Sequence, residues 1–233
     1  MTRAHPDPFR PGVCDRMLVW LSLGLALAIV PSVVSAHPHV WVEAKSEVVF
    51  GDDGRINAVR HAWRFDEAYS AFATQGLDED RDGTYSIAEL APLAQINAES
   101  LSDYEFFTFL YVEGKDVQLS GAQNYWLEFD AGLLTLFFVL PVQEPVAISA
   151  ETEVALDVFD PEYFVSFSFV DDNSPVSLIN APTNCGVEIL WAEGLDPMTE
   201  AMLAAIPMDQ PELPPELRQV TQQLANTALV SCG

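Results

Sequence analysis

Twelve residues from Asp78 to Glu89, DEDRDGTYSIAE, set oxygen-bearing side chains at a spacing that suits a hard cation. Calcium takes six to eight oxygens, and an EF-hand loop supplies them from positions 1, 3, 5, 7, 9 and 12 with glycine at position 6. Here the ligands would be Asp78, Asp80, Asp82, the carbonyl of Thr84, Ser86 through water, and a bidentate Glu89. Gly83 falls at the sharp turn. Only one such loop is present, whereas EF-hands usually pair, so a structural ion is expected rather than a sensor. Its affinity would then be roughly the 10⁻⁴–10⁻³ M of extracellular modules. The plainer alternative is an acidic connection between two helices in an acidic chain.

A second constellation is His37-Pro38-His39, in a chain with only four histidines. It follows a basic start (Arg10, Arg16), the apolar run MLVWLSLGLALAIV from Met17 to Val30, and Val34-Ser35-Ala36. That order is the pattern of a secretory leader cut after Ala36. The apolar run falls short of the roughly 20 residues that span a membrane, so residues 1–36 are expected to be removed and 37–233 to form one exported, periplasmic domain without a transmembrane segment. Cleavage would make His37 the first residue, so that its α-amine and imidazole could chelate one metal ion while His39 adds a second imidazole. Pro38 has no N–H to lose, which excludes the square-planar site that needs a deprotonated second amide. Imidazole suits Zn²⁺, Cu²⁺ and Ni²⁺, and Co²⁺ belongs with them as a candidate.

His61, in RHAWRFDEAYS, is the remaining histidine beyond the leader. A turn at Gly51–Gly54 would set residues near 39–41 opposite residues near 63–65. That would bring His61, with the carboxylate of Asp66, towards His37 and His39. The plainer reading of His61 is a strand histidine satisfied by a hydrogen bond. Asp160 and Glu162, in FDPEYF, read as a strand-to-strand corner rather than as ligands.

Composition narrows the partners. Loss of the leader would leave seven basic and 33 acidic side chains, a net charge of −26. That argues against nucleic acid and anionic lipid, and favours cations. Cys185 and Cys232 remain as an even pair in an exported chain and are expected to form a disulfide. No nucleophile motif and no phosphate-cradling glycine loop is present, so no enzyme activity is expected.

The elements that must position these residues follow from periodicity. Val40–Phe50 and Ile56–Trp63 alternate as strands around Gly51–Gly54. Phe65, Tyr69 and Phe72 recur at helical spacing, and Ile87 to about Ser102 reads as a second helix. Phe106–Val112 and Val117–Phe129 form a hairpin across Glu113-Gly114-Lys115. Leu133–Leu140, LLTLFFVL, suits a strand buried on both faces. Val146–Phe159 and Phe164–Val170 add strands, Val176–Ile179 pairs back across the turn Asp171–Pro175, and Val187–Trp191 is a last strand. Thr199–Ile206 and Leu217–Leu229 are expected helices, the latter tied to the strand region by the disulfide. The fold class is α+β, mainly β: an antiparallel β-sandwich-like core with a helical EF-hand-like insertion at about 65–103 and a C-terminal helix.

The leader, AHPHVWV, HAWRFDEAYS, the D-x-D-x-D-G loop, FFTFLYVEGKDV, FDPEYFVSF and the terminal cysteine, in that order, resemble domain-of-unknown-function family 1007. The resemblance covers Ala36 to Cys232. It implies an exported accessory protein that handles a transition metal beside a membrane permease of nickel/cobalt type, with His37, His39 and His61 in the histidine-bearing segments. Two other classes are expected as alternatives: a calcium-stabilised interaction or scaffold domain, and a copper histidine-brace protein.

Overall fold

The structure, a computed structural model, describes residues 38–172, 174–192, 194–207, 210 and 212–233. The leader, its cleavage point and His37 lie outside the described residues. The chain opens with β1 (Val40–Phe50) and β2 (Arg55–Phe65), an antiparallel pair in which Val42 faces Phe65 and Ser46 faces His61. Asp52 and Asp53 make the turn, closed by Gly54 N–H donating to Gly51 O, with Gly54 in the left-handed region at φ +74°. Two helices follow, α1 (Glu67–Ala73) and α2 (Ile87–Ser100), and then a segment from Leu101 to Phe107 that starts as a 3-10 turn and kinks at Tyr104. The remaining elements are β3 (Thr108–Val112), β4 (Lys115–Val117), β5 (Gln123–Asp130), β6 (Leu133–Ala147), β7 (Val154–Val158), β8 (Val165–Phe169), β9 (Val176–Ile179), β10 (Cys185–Leu190), α3 (Pro197–Ala204), α4 (Pro215–Thr221) and β11 (Asn226–Cys232).

The strands form two sheets. One runs β5-β6-β2-β1-β8 with β9 also on β1; the other runs β10-β11-β7-β3-β4. Their inner faces share one core. Val42, Ala44, Val48 and Phe50 of β1, Ile56, Val59 and Trp63 of β2, and Leu134, Leu136, Phe138 and Leu140 of β6 meet Leu110, Val154, Leu156, Val158, Ala228 and Val230. Burying each Leu, Val or Phe side chain contributes about 1.5–3 kcal/mol, so this shared layer is what holds the sheets together. The fold is thus α+β and mainly β, with a helical insertion between β2 and β3 and a C-terminal helix.

Several local expectations change. β6 is buried on one face only: Leu134, Leu136, Phe138 and Leu140 alternate with half-buried residues. Its apolar outer face is covered in part by the Trp126 ring, which stacks on Phe137 at 4.7 Å. β6 also continues past Pro141, which sits opposite Ala58 where the ladder shifts register; proline is tolerated at such an irregularity. The segment Val117–Phe129 breaks at Gly121, so that β4 and β5 belong to different sheets.

Val176–Ile179 does not pair back on Phe164–Val170. β8 and β9 both run parallel to β1, on Val40–Ala44 and Ser46–Val49. Val170 N–H donates to Ala44 O, and Ser46 N–H donates to Pro175 O. The two strands therefore act as one interrupted edge strand, with Asp172 held over the gap by Lys45 at 2.9 Å. At the C-terminus, the expected helix Leu217–Leu229 ends at Thr221. Asn226–Cys232 is instead an interior strand between β10 and β7, where Ala228, Val230 and Cys232 are buried. The β-branched Thr227 and Val230 fit a pleated half-buried surface better than a helix.

Candidate functional site

Asp66 ends β2 and starts α1. Its Oδ1 accepts from Tyr69 N–H and its Oδ2 accepts from Trp41 N–H, both at 2.9 Å. It is therefore the N-cap of α1 and a tie to the beginning of β1. Ser70 then fastens α1 to the sheet, its Oγ accepting from Leu134 N–H at 2.9 Å. α2 begins with a capping box. Ser86 Oγ accepts from Glu89 N–H at 3.2 Å, and Glu89 Oε2 accepts from Ser86 N–H at 2.8 Å. Leu90, Ala94 and Ala98 bury one face of α2. Tyr85 packs edge-on against Phe129 of β5 at 4.8 Å. Both helices are thus anchored to the same sheet, and they fix the ends of the loop between them.

Within that loop the carboxylates turn inward. Asp78 Oδ1 and Oδ2 accept from Asp82 N–H and Gly83 N–H, each at 3.1 Å. Asp80 Oδ1 also accepts from Asp82 N–H at 3.1 Å. Asp82 Oδ1 accepts from Thr84 N–H at 2.8 Å. Gly83 stands at φ +84°, a region glycine enters without steric cost. Ligand oxygens of Asp78, Asp80 and Asp82 lie within 4.8 Å of one another. Glu89 closes the ring, its Oε1 accepting from Glu79 N–H at 2.9 Å. The Ser86 backbone and hydroxyl bonds, then the Glu79 bond, hold the Glu89 carboxyl below the usual carboxylate range. Three carboxylates are thus gathered around backbone donors, and like charges at this spacing favour a divalent cation between them. These residues fit the oxygen set calcium takes. Ser86 Oγ is committed to the helix cap and to Glu89 Oε2 at 2.7 Å, which suits the water-mediated position.

The histidine constellation is separated. His61 sits opposite Ser46, seven residues along β1 from His39, which at roughly 3.3 Å per residue is about 23 Å of strand. The expected register fails because Phe65 pairs with Val42, so residues 39–41 have no partner on β2. His61 is 3% exposed, between Trp63 and Phe138. Thr108 Oγ1 donates to Phe106 O at 2.7 Å, so it accepts from His61 Nε2–H at 3.2 Å. Nδ1 then accepts from the Ser46 hydroxyl at 2.9 Å. Both nitrogens are used, burial lowers the pKa to about 3, and the ring is neutral. His61 is a polar stitch between the two sheets and not a metal ligand with His39.

His39 stays at the chain's entry into the sheet. Its N–H donates to Phe164 O at 2.8 Å, and its ring lies 4.5 Å from the Phe164 ring. Asp66 is held near it through Trp41, two residues on. The disulfide is formed as expected: Cys185 and Cys232 face each other in register on β10 and β11, joining two strands rather than a strand and a helix.

Asp160 carries more than a corner role. It is 5% exposed, its Oδ1 accepts from Glu162 N–H, and its Oδ2 accepts from Phe164 and Val165 N–H, all at 2.9 Å. Burial raises its pKa against the pull of those three donors. FDPEYF signals the turn, but nothing in the sequence signals that this carboxylate is enclosed.

Among the described residues, no helix is long and apolar enough to cross a membrane. The model of the family described as "Protein of unknown function (DUF1007)" matches residues 22–232. No curated protein matches the chain.

Proposed function

The chain belongs to the DUF1007 family, and on that premise we propose that it is an exported cation-binding accessory protein whose Asp78–Glu89 loop holds one structural Ca²⁺. The observation that carries this reading is the gathering of Asp78, Asp80 and Asp82 within 4.8 Å, closed by Glu89. The ion would neutralise the cluster and lock α1 to α2, so the helical insertion becomes a rigid face on the sheet.

A calcium-dependent melting experiment tests this. With calcium at about 100 times its Kd, stabilisation is about 2.7 kcal/mol. For a domain of this size that raises Tm by roughly 5–10 °C. Asp78→Asn with Asp82→Asn should abolish the rise, and magnesium should give little of it. An equal rise in the variant would overturn the reading.

A second reading concerns transition metals. β1 begins at Val40, which leaves His39 at the sheet's entry, two residues before Trp41, whose N–H donates to Asp66. An N-terminal His37 amine chelate with His39 could form there and serve a membrane metal permease with Ni²⁺, Co²⁺, Zn²⁺ or Cu²⁺. His61 has no part in it. His37→Ala with His39→Ala should remove such binding and leave calcium binding intact. Metal binding that survives both changes would sink it.

A further inference from the structure

A pocket of about 320 Å³ opens where the start of β1, the end of β2, α1, the turn after α2 and the segment between β7 and β8 meet. That is at the lower end of the roughly 300–1,000 Å³ of small-molecule sites. Its walls are aromatic: Trp63, Phe65, Tyr69, Tyr104, Phe107 and Phe164 all contribute rings. Asp160 and Glu162 border the same space. Glu162 is answered by Arg218 at 2.8 Å. Asp160 has no ion-pair partner among the described residues, only backbone donors.

The wall is built at a conformational cost. Glu105, Phe106 and Phe107 are three successive non-glycine residues with φ +51°, +52° and +47°. Each costs of order 1–3 kcal/mol and persists only where packing enforces it. The turn sets Phe107 between Tyr104, stacked at 5.4 Å, and Trp63 at 6.4 Å.

Ring faces carry negative potential and attract cations, most of all weakly hydrated ones that can enter an apolar space. A buried carboxylate adds to that field, and a chain of net charge −25 draws cations and repels anions. A neutral apolar ligand would satisfy the rings and leave the carboxylate with its backbone donors and no counter-ion. A bare divalent ion would find rings where it needs oxygens.

We propose that this pocket binds an organic cation, a substituted ammonium whose apolar arms fill the aromatic cage while its charge faces Asp160. The site is separate from the calcium loop, and either can exist without the other.

Calorimetric titration of the full exported protein at saturating calcium tests this with two probes of one shape. Choline is the cation, and 3,3-dimethylbutan-1-ol is its uncharged isostere. Choline should bind at least about fivefold more tightly, the upper range of one cation–ring contact at an exposed site and so a lower bound for an enclosed cage. Tyr104 is 57% exposed, so Tyr104→Ala removes a ring without emptying the core. It should weaken choline by about fivefold. Phe164→Leu keeps the apolar volume and should weaken choline but not the alcohol. Unchanged calcium-dependent melting of both variants shows that they fold. Equal affinity for the two probes, no choline binding, or choline binding untouched by both variants would each overturn the proposal.

Discussion

Acid should destabilise this protein through His61 in particular. In the folded chain burial holds the imidazole neutral with a pKa of about 3, while its ordinary value is 6.5. Below pH 6.5 the unfolded chain binds a proton that the folded chain refuses, so stability falls as pH falls, until the folded pKa is reached. Each unit in that window costs about 1.4 kcal/mol, so the loss from this residue is about 2 kcal/mol at pH 5 and about 5 kcal/mol near pH 3. Many carboxylates titrate in the same range, and Asp157 and Asp160, raised by burial, push the other way. A comparison with His61→Gln removes that background, since glutamine keeps hydrogen-bonding groups and does not titrate. Denaturant unfolding of both proteins at about pH 7.5 and about pH 5, with calcium saturating, should show the wild type losing about 2 kcal/mol more than the variant. Equal losses would mean that His61 titrates freely. The buried stitch between Ser46 and Thr108 would then be wrong.

Three further outcomes follow from the same contacts. Thr108→Val leaves His61 Nε2–H without its acceptor and should cost about 1–3 kcal/mol; a loss of only a few tenths in a urea melt would remove Thr108 from the network. Reduction of Cys185–Cys232, which are 47 residues apart, should cost about 4 kcal/mol on the loop-entropy estimate. By calorimetry that is a Tm lower by roughly 8–16 °C, and an unchanged Tm would refute it. Asp66→Ala removes the α1 cap and the tie to Trp41, and should cost about 0.5–2 kcal/mol. Hydrogen exchange should speed up at the Tyr69 and Trp41 amides, and unchanged protection there would contradict the cap.

What was legible in the sequence was local. The calcium-type loop is written in consecutive residues, and the capping box of Ser86 and Glu89 is a four-residue signal. The α1 and α2 helices and the β1–β2 turn lie close to where periodicity and turn residues set them. What was not legible depends on partners far along the chain. The parallel pairing of β8 and β9 on β1 spans more than a hundred residues, and no turn residue announces it. LANTALV reads equally as helix or strand, and its place between β10 and β7 decides. For His61, period two shows that it faces inward with Trp63, but not the register. A shift of three residues in the β1–β2 register, from residues 39–41 to Val42–Ala44 opposite residues 63–65, separates a metal ligand from a core histidine. The aromatic pocket draws on rings from β2, α1, the turn after α2 and the segment before β8, and only YEFF and FDPEYF are dense enough to hint at it.

The central claim is that the Asp78–Glu89 loop holds calcium, and direct stoichiometry tests it. Protein stripped with a chelator would be equilibrated against radioactive calcium beside the Asp78→Asn, Asp82→Asn variant. One calcium per wild-type chain and none in the variant is the expected result. No bound calcium at millimolar concentration, or the same amount in the variant, would contradict it.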